Sequence, residues 1–398
     1  IIVTLMTKAG GSRAYGLWAK EKIKSRQGSL FSTFLLGILI FVDDYFNCLT
    51  VGSVMREVTD EFSVSSAKLA YIIDSTAAPI CIIAPISIWS GAVIGYTSGD
   101  GFSLFLQTIP FNLYALLTIV MVTYVIKKDF HIGTMKHHEI AAQNGDVHNG
   151  VNDYEEGEEM EVSDQGRVYD LLLPVFFLII SCIVGMLYTG GFFEGVSFIT
   201  AFTNCDASRG LVLGSFFTLV FIFILYLPRK IISYEDFAKC IPMGFKTMVP
   251  AMIILTLAWT LGDLVSDKLQ AGVFVYNLMQ GASISTAILP VCLFLVGTGL
   301  AFATGTSWGT FGILIPIATS IFPEGSQMLV IAIASILAGA VCGDHISPIS
   351  DTTIMASAGA QCNHVNHVTS QIPYAMLVAG ACVCLLYTSD AADDMQCV

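Results

Sequence analysis

Long apolar runs separated by polar breaks dominate the chain. Several runs reach about 17 to 25 residues, the length that an α-helix needs to cross the hydrocarbon core of a bilayer. In lipid every backbone polar group must be satisfied within its own segment, so these runs predict transmembrane helices. The apolar stretches are 1–18, 29–55, 69–98, 104–126, 169–189, 211–227, 245–265, 284–302, 311–322, 326–342 and 371–387.

Polar residues and prolines interrupt four segments of this apolar body. In the first half, the stretch 104–126 predicts a transmembrane helix without such a break. The interruptions are Asp43-Asp44, Asp74-Ser75-Thr76 with Pro79 and Pro85, the Gly/Thr/Ser-rich stretch 303–310, and 343–353 with Pro348. A proline removes a backbone donor and frees a carbonyl of the preceding turn. Secondary transporters build midplane sites from such broken helices, in inverted repeats. Asp74-Ser75-Thr76 in the first half is similar to Asp351-Thr352-Thr353 in the second half, which fits an inverted repeat.

The expected fold class is therefore an all-α polytopic membrane protein. It would contain two inverted repeats with broken helices and re-entrant hairpins. The composition agrees, because 55% of the 398 residues are hydrophobic and only 12% are charged. Soluble domains carry about 25% charged residues. The net charge of −13 excludes a nucleic-acid binder held by a basic surface.

Most of the negative charge lies outside the apolar body, in a central segment and in the last residues. These segments predict four regions. They are 1–126, a first membrane repeat truncated at its N-terminus; 127–168, an acidic flexible linker; 169–387, a second membrane repeat; and 388–398, a tail that is disordered or an artefact. The linker histidines His131, His137, His138 and His148 are expected in a solvated loop, with a divalent-cation or regulatory role as the alternative.

Three clusters of carboxylates stand within the apolar body, at Asp43-Asp44, at Asp74 and at Asp344 with Asp351. A carboxylate at membrane depth costs at least about 2.5 kcal/mol, so each cluster indicates a functional site. The alternative is a position at a helix end in the wet interface. Freed carbonyls, hydroxyls and carboxylates are hard oxygen ligands that suit a small alkali cation.

These residues predict a sodium site, with Asp74, Asp344 and Asp351 as its carboxylate ligands. The full set of predicted ion-binding residues is Asp74, Ser75, Thr76, Thr306, Ser307, Asp344, Asp351, Thr352 and Thr353. Asp43 or Asp44 would exchange protons with this site. His345 is a further candidate for proton coupling because histidine titrates near neutral pH, and a structural histidine is equally compatible with the pattern.

Other patterns favour plainer interpretations. Gly305-Thr306-Ser307-Trp308-Gly309 matches G-x-S-x-G, but its membrane-length apolar flanks argue against the hydrolase elbow and against an enzyme. A small-residue packing face is the alternative for this stretch. His364 and His367 are interpreted as surface residues. The cysteines, mostly in apolar stretches, are interpreted as buried small side chains. The chain contains no P-loop that would drive transport with ATP.

Four segments carry a resemblance to a known family: FVDDYFNCLTVG, KLAYIIDSTAAPICIIAPIS, FATGTSWGTFGILIPIA and CGDHISPISDTTIMASAG. In this order they resemble the NhaC-type sodium/proton antiporter family, over nearly the whole chain except the linker and the last residues. The resemblance implies an ion-transporter fold that exchanges sodium for protons across the bacterial inner membrane, as a multi-pass protein. It implies no cofactor, since sodium ions and protons are the transported species.

The expected function is sodium/proton antiport by alternating access, because a buried carboxylate must hold either a proton or a cation. The bilayer and the two ions are the expected partners, with homo-oligomerisation left open. One rival is a sodium- or proton-coupled carrier of an organic acid or amino acid, as in some relatives of the family. A channel or a membrane scaffold is a rival of a different class.

Overall fold

The computed structural model describes residues 1–41, 44–85, 101–150, 162–203, 205–264 and 288–395, together with 87, 89, 93 and 268–270. Within these residues the regular structure is helical and contains no strand, as the sequence predicts. The helices of the first part are α1 (Ile2–Lys8), α2 (Gly11–Lys22), α3 (Arg26–Leu39), α4 (Asp44–Glu61), α5 (Ser66–Thr76), α6 (Ala78–Cys81), α7 (Gly101–Thr108), α8 (Leu113–Lys128) and α9 (Met135–Gln143). Those of the second part are α10 (Tyr169–Thr189), α11 (Phe198–Thr203), α12 (Ala207–Tyr226), α13 (Tyr234–Asp263), α14 (Leu289–Thr304), α15 (Ser307–Ile321), α16 (Gln327–Ile346), α17 (Asp351–Ala360) and α18 (His364–Met395). Short 3-10 turns lie at Ile109–Phe111 and Phe192–Glu194.

Four of the described helices are long and apolar enough to cross a membrane. They are Tyr169–Thr189, Arg209–Tyr226, Gln327–Ile346 and His364–Tyr387. A bent pair of helices in the first part would make a fifth, and α14 and α15 are shorter apolar helices. This pattern confirms the predicted all-helical, polytopic membrane protein. The two repeats and the boundaries of the four regions stay predictions.

The predicted plain span at 104–126 is wrong. The chain is broken there into Gly101–Phe111 and Leu113–Lys128, which meet at an angle of 44°. Pro110 removes a backbone donor just before the bend. The Asn112 side chain accepts a hydrogen bond from the amide of Ala115, which starts α8 as a new helix.

The predicted polar interruptions coincide with breaks in the helices. α5 ends at Thr76, and Pro79 in α6 lacks the N–H group that would continue its hydrogen-bond ladder. α14 ends at Gly305, whose φ of 69° is in the left-handed region that favours glycine. Residues 347–350 separate α16 from α17, and residues 40–43 separate α3 from α4. Of this last break, Val42 and Asp43 lie outside the described residues.

Two neighbouring hydrophobic clusters form the core around these breaks. One joins α14, α15, α16 and α18 with the start of α8, and the other joins α3, α4, α5 and α17. α14 and α16 pack backbone to backbone: a Cβ added at Gly339 would lie 2.2 Å from the carbonyl oxygen of Phe294, and one at Gly343 would lie 2.1 Å from that of Thr298. The membrane-length window of α16 is 100% buried inside the protein.

Most of the apolar-stretch cysteines are buried, as their surroundings predict. Cys48, Cys81, Cys182, Cys342 and Cys382 are buried, whereas Cys292 is partly exposed.

The beginning of the predicted linker is folded onto the first membrane region. α9 packs against α5, and the backbone amide and hydroxyl of Ser65 donate to Glu139 Oε1 over 3.0 and 2.6 Å. The amide of Ser66 donates to the carbonyl of Val147. The expectation of a solvated loop is wrong for His138, which is only 5% exposed. Residues 151–161 lie outside the described part of the chain.

A network of opposite charges fastens this segment. The ammonium of the fully buried Lys68 lies 2.7 Å from Asp129, 3.0 Å from His131 Nε2 and 3.4 Å from Glu139, while Arg26 pairs with both carboxylates. Burial alone would raise the pKa of Glu139. A hydrogen bond from His131 and the charges of Lys68 and Arg26 reverse that effect and hold the pKa well below its usual value.

The same balance lowers the pKa of Asp129, because the hydrogen bond and charge of Lys68 outweigh its burial. Asp129, His131 and Glu139 bring ligand atoms within 4.8 Å of one another, as a metal site would. Lys68 contacts all three side chains. The ammonium group of Lys68 thus supplies a positive charge among these three ligand groups.

Candidate functional site

Asn47 joins the ends of two broken helices. Its Nδ2 group lies within hydrogen-bond distance of the carbonyl oxygens of Gly37, Ile40 and Thr76, at 2.7, 2.8 and 3.1 Å. These carbonyls belong to the ends of α3 and α5, where no intrahelical donor follows. Asn47 itself is fully buried on α4. The two breaks of the first part therefore meet at one point.

The two breaks of the second part also meet. A Cβ added at Gly305 would lie 2.5 Å from the carbonyl oxygen of Ile349, so only glycine permits this approach. The hydroxyl of Ser347 donates to the carbonyl of Phe302 over 2.8 Å. The turn that joins α14 to α15 thus packs against the segment that joins α16 to α17.

Asp344 is buried at this junction. Its Oδ2 accepts a hydrogen bond from Ser307 Oγ over 2.8 Å, across the two broken elements. Its Oδ1 is also buried and has no hydrogen-bond partner among the described residues. A buried carboxylate oxygen without a hydrogen-bond partner is a position that can accept a cation or a proton.

Asp351 begins α17 and faces α4. Tyr45 donates its hydroxyl to Asp351 Oδ2, and the amide of Thr352 donates to Oδ1 over 2.9 Å. The backbone amide of Tyr45 donates to Asp44 Oδ1 over 3.2 Å. Tyr45 therefore contacts two of the predicted carboxylates, Asp44 and Asp351.

Hydroxyl groups line the same region, in part as predicted. Ser350 and Thr352 share a hydrogen bond of 3.0 Å, and the buried Thr353 Oγ1 has no partner in the part of the chain described. The backbone carbonyl of Thr306 accepts from Thr310 Oγ1 over 3.1 Å. The Thr353 hydroxyl oxygen is thus available as a ligand among the described residues.

Asp74 lies in a different environment, made of nitrogen donors. Its Oδ2 accepts from Gln371 Nε2 over 2.7 Å and from His367 Nε2 over 3.3 Å. The interpretation of His367 as a surface residue is wrong, because it is fully buried in α18. His364 is partly exposed and contacts Ser357.

His345 connects Asp74 to the rest of the site. Its Nε2 lies 3.3 Å from Ser75 Oγ and 4.0 Å from Asp74 Oδ2, and its Nδ1 lies 2.7 Å from the hydroxyl of Tyr114. Gln371 donates to the backbone carbonyl of His345 as well as to Asp74. Both side-chain nitrogens of His345 thus have polar neighbours, and the predicted proton-coupling role stays a prediction.

The structure does not bring every predicted residue to the site. The hydroxyl of Thr76 donates to the carbonyls of Ile72 and Ile73 within its own helix. Its backbone carbonyl, bonded to Asn47, is the group that takes part in the junction. Asp43 lies outside the described residues.

Sequence reasoning missed several polar side chains at the site. They are Tyr45, Asn47, Tyr114, His367 and Gln371. A signal was present for α18, where His367, Gln371, Tyr374 and Val378 recur at helical spacing and define one face. The others stand singly in apolar surroundings, and no spacing rule marks them.

Comparison with known proteins identifies the family. The sequence model of the Na⁺/H⁺ antiporter family matches residues 69–389. The chain belongs to this family. It is therefore a multi-pass membrane protein of the sodium/proton antiporters and related transporters. The matched residues include Asp74, Asp344 and Asp351.

Individual relatives agree with this membership. A Haemophilus influenzae protein described as uncharacterized is 38% identical over 96% of this chain and 75% of its own length. A Bacillus subtilis protein named malate-2H⁺/Na⁺-lactate antiporter is 29% identical over 55% of this chain and 44% of its own. An uncharacterized Na⁺/H⁺ antiporter of H. influenzae is 30% identical over 34% of this chain and 28% of its own. The chain thus covers less than half of the two relatives that are named as antiporters.

Proposed function

We propose that the chain is a secondary active transporter that exchanges sodium for protons across the bacterial cytoplasmic membrane. The observation that carries this proposal is that Asp344 and Asp351 are buried at the ends of broken helices, where Ser307 and Tyr45 donate to them. Among the described residues, no lysine or arginine forms a salt bridge with Asp344 or Asp351. Their charges are therefore left for a transported species to neutralise.

The chemistry of this group suits sodium. Carboxylates, hydroxyls and backbone carbonyls are hard oxygen ligands, which small hard cations prefer. Asp351, Asp344 and Ser307 supply such oxygens, and the oxygen of Thr353 is available as well. We assign sodium binding to this group, and we include Asp74, whose Oδ1 has no hydrogen-bond partner among the described residues, as a further carboxylate of the transport site.

Exchange follows from the free-energy cost of a buried carboxylate that is charged and has no bound cation. A carboxylate in low dielectric is stabilised either by a cation or by a proton, and not readily by neither. Sodium and protons then compete for the same carboxylates, so that entry of one releases the other. Alternating access would expose the site to each side in turn, through movement of the broken helix pairs that meet there.

Replacement of Asp351 by Asn tests the proposal. Asp351→Asn keeps the shape of the side chain and removes the charge, so we expect sodium-driven proton movement to be lost. The assay is the internal pH of proteoliposomes after a sodium gradient is imposed, with a potassium gradient for comparison. Asp206→Asn is the matched control because Asp206 caps α12 at an exposed position, where Asn caps equally well. Normal exchange by Asp351→Asn would refute the assignment.

A second candidate function is the coupled transport of an organic acid. It is favoured by the N–H donors around Asp74, since amide and imidazole groups also bind a substrate carboxylate. It is also consistent with the name of the B. subtilis relative. Counterflow of labelled dicarboxylates and lactate in the same vesicles distinguishes the two functions. Proton movement that requires an added acid would favour this candidate over simple antiport.

A further inference from the structure

One face of α18 is polar although the helix is long and apolar enough to span the membrane. His367, Ser370, Gln371 and Tyr374 recur at the spacing of a single helix face, and all four are fully buried. The opposite side exposes Met376. Polar side chains inside a span are costly and mark functional positions.

This polar face is directed at Asp74. His367 and Gln371 are one helical turn apart, and both place an N–H donor on the same carboxylate oxygen, Oδ2. Two donors on one oxygen fix the rotation of the carboxylate about its Cβ–Cγ bond. The other oxygen, Oδ1, is buried and has no hydrogen-bond partner among the described residues.

Asp344 shows the same division between its two oxygens. Ser307 holds Oδ2, and Oδ1 is left without a partner in the described part of the protein. The two carboxylates stand on different broken elements, and each is oriented by a donor from a neighbouring helix. A purely structural role for these donors would leave both unpartnered oxygens unexplained.

We propose that His367 and Gln371 are positioning residues of the transport site, which hold Oδ2 of Asp74 so that Oδ1 faces the transported ion. This inference rests on the proposed antiport and adds α18 to the site. Gln371 also bonds the backbone carbonyl of His345 at the end of α16. The same side chain thereby ties the orientation of Asp74 to the break that carries Asp344.

The test compares variants that keep and remove the donors. Gln can place its Nε2 near the position of the imidazole Nε2, so His367→Gln retains a donor without a titratable group. His367→Leu and Gln371→Met remove the donors at similar volume. Sodium-driven proton movement is measured in proteoliposomes over a range of sodium concentrations, after thermal unfolding in detergent has verified folding.

We expect His367→Leu and Gln371→Met to raise the apparent KM for sodium about tenfold, with a smaller effect on the maximal rate. His367→Gln should restore a KM close to that of the wild type. Thr369→Ala is the control, because Thr369 lies on the exposed side of the same helix and its hydroxyl donates to the carbonyls of Val365 and Asn366 in that helix. Its KM should not change.

The outcomes separate the two proposals. An unchanged sodium KM in Gln371→Met and His367→Leu, with an active wild type, overturns the positioning role and leaves antiport intact. A folded His367→Gln that is as defective as His367→Leu also overturns it. If His367→Leu does not fold, Gln371→Met and His367→Gln decide the question. A wild type without sodium-driven proton movement refutes the proposed function itself.

Discussion

Ser307 Oγ and Asp344 Oδ2 lie 2.8 Å apart, although Ser307 begins α15 and Asp344 lies near the end of α16. This hydrogen bond joins the two interrupted elements of the second part at their polar ends. Hydrogen bonds to charged groups contribute about 1.5–3 kcal/mol. The contact therefore orients Asp344 and stabilises the packing of the α14–α15 turn against the end of α16.

Removal of this hydroxyl should weaken sodium binding. In Ser307→Ala, Asp344 loses the donor to Oδ2, so we expect the apparent KM for sodium to rise about tenfold. Sodium-dependent proton uptake into proteoliposomes is the measurement. Ser335→Ala is the control, since Ser335 is buried on α16 and its hydroxyl has no hydrogen-bond partner among the described residues. Equal KM values in the two variants would contradict the role of Ser307.

A methyl group at Gly305 should separate the α14–α15 turn from the segment that joins α16 to α17. Gly305→Ala strains a positive φ and places a Cβ 2.5 Å from the carbonyl oxygen of Ile349. Gly325→Ala has a similar φ of 77°, and its Cβ would meet nothing within 4 Å. The backbone strain of about 1–2 kcal/mol is common to both, and overpacking of about 1–3 kcal/mol applies only to Gly305.

We therefore expect Gly305→Ala to lower the thermal unfolding temperature more than Gly325→Ala does, and to lose sodium-driven transport. Unfolding in detergent and vesicle assays measure the two effects. Similar temperatures and rates in both variants would show that the close contact with Ile349 is dispensable.

Loss of the Glu139 charge should release the segment that carries α9. In Glu139→Gln the buried Lys68 loses one of its two carboxylate partners among the described residues and keeps Asp129, and a hydrogen bond to a charged group contributes about 1.5–3 kcal/mol. Thermal unfolding of the purified protein measures this loss. Glu235→Gln breaks an exposed pair with Lys239, which water and salt screen, so it should change the unfolding temperature very little. A loss no greater than this in Glu139→Gln would contradict the fastening role.

The same network predicts how stability depends on pH. The pKa values of Glu139 and Asp129 are lowered in the folded protein, below their ordinary values of 4.5 and 3.8. Their contribution is fully present above those ordinary values and is lost as pH falls through the lowered ones. The wild type should therefore lose stability below about pH 4.5, and Glu139→Gln should show a smaller acid loss. Parallel acid curves for the two proteins would argue against this origin.

The helical class and the breaks could be predicted because their causes are local. Run length sets the spans, Pro79 and Pro348 lack the N–H group that continues a helix, and Gly305 permits the left-handed conformation that ends α14. The cost of burying charge was enough to select Asp74, Asp344 and Asp351. The bend at Asn112 was missed because a hydropathy average does not register a single capping side chain.

The partners of the carboxylates could not be predicted in the same way. His367 and Gln371 reach Asp74 across 293 and 297 positions of the chain, and Tyr45 reaches Asp351 across 306. Such contacts depend on how whole helices pack, and no local pattern encodes them. A short polar turn precedes α18, and its polar composition continues through His367, which favours a surface position. The helix already begins at His364, so His367 lies in its first turn and faces the core.

The glycines of α16 limit which motions can drive the transport cycle. Backbone atoms of α14 occupy the space where side chains at Gly339 and Gly343 would stand, and the membrane-length part of α16 is buried inside the protein. Because the two backbones are in direct contact, we expect α14 and α16 to move as one rigid unit. Distances between probes placed on α14 and α16 should then stay constant through turnover, and Asp344 should change its surroundings only through movement of the other helices around this pair.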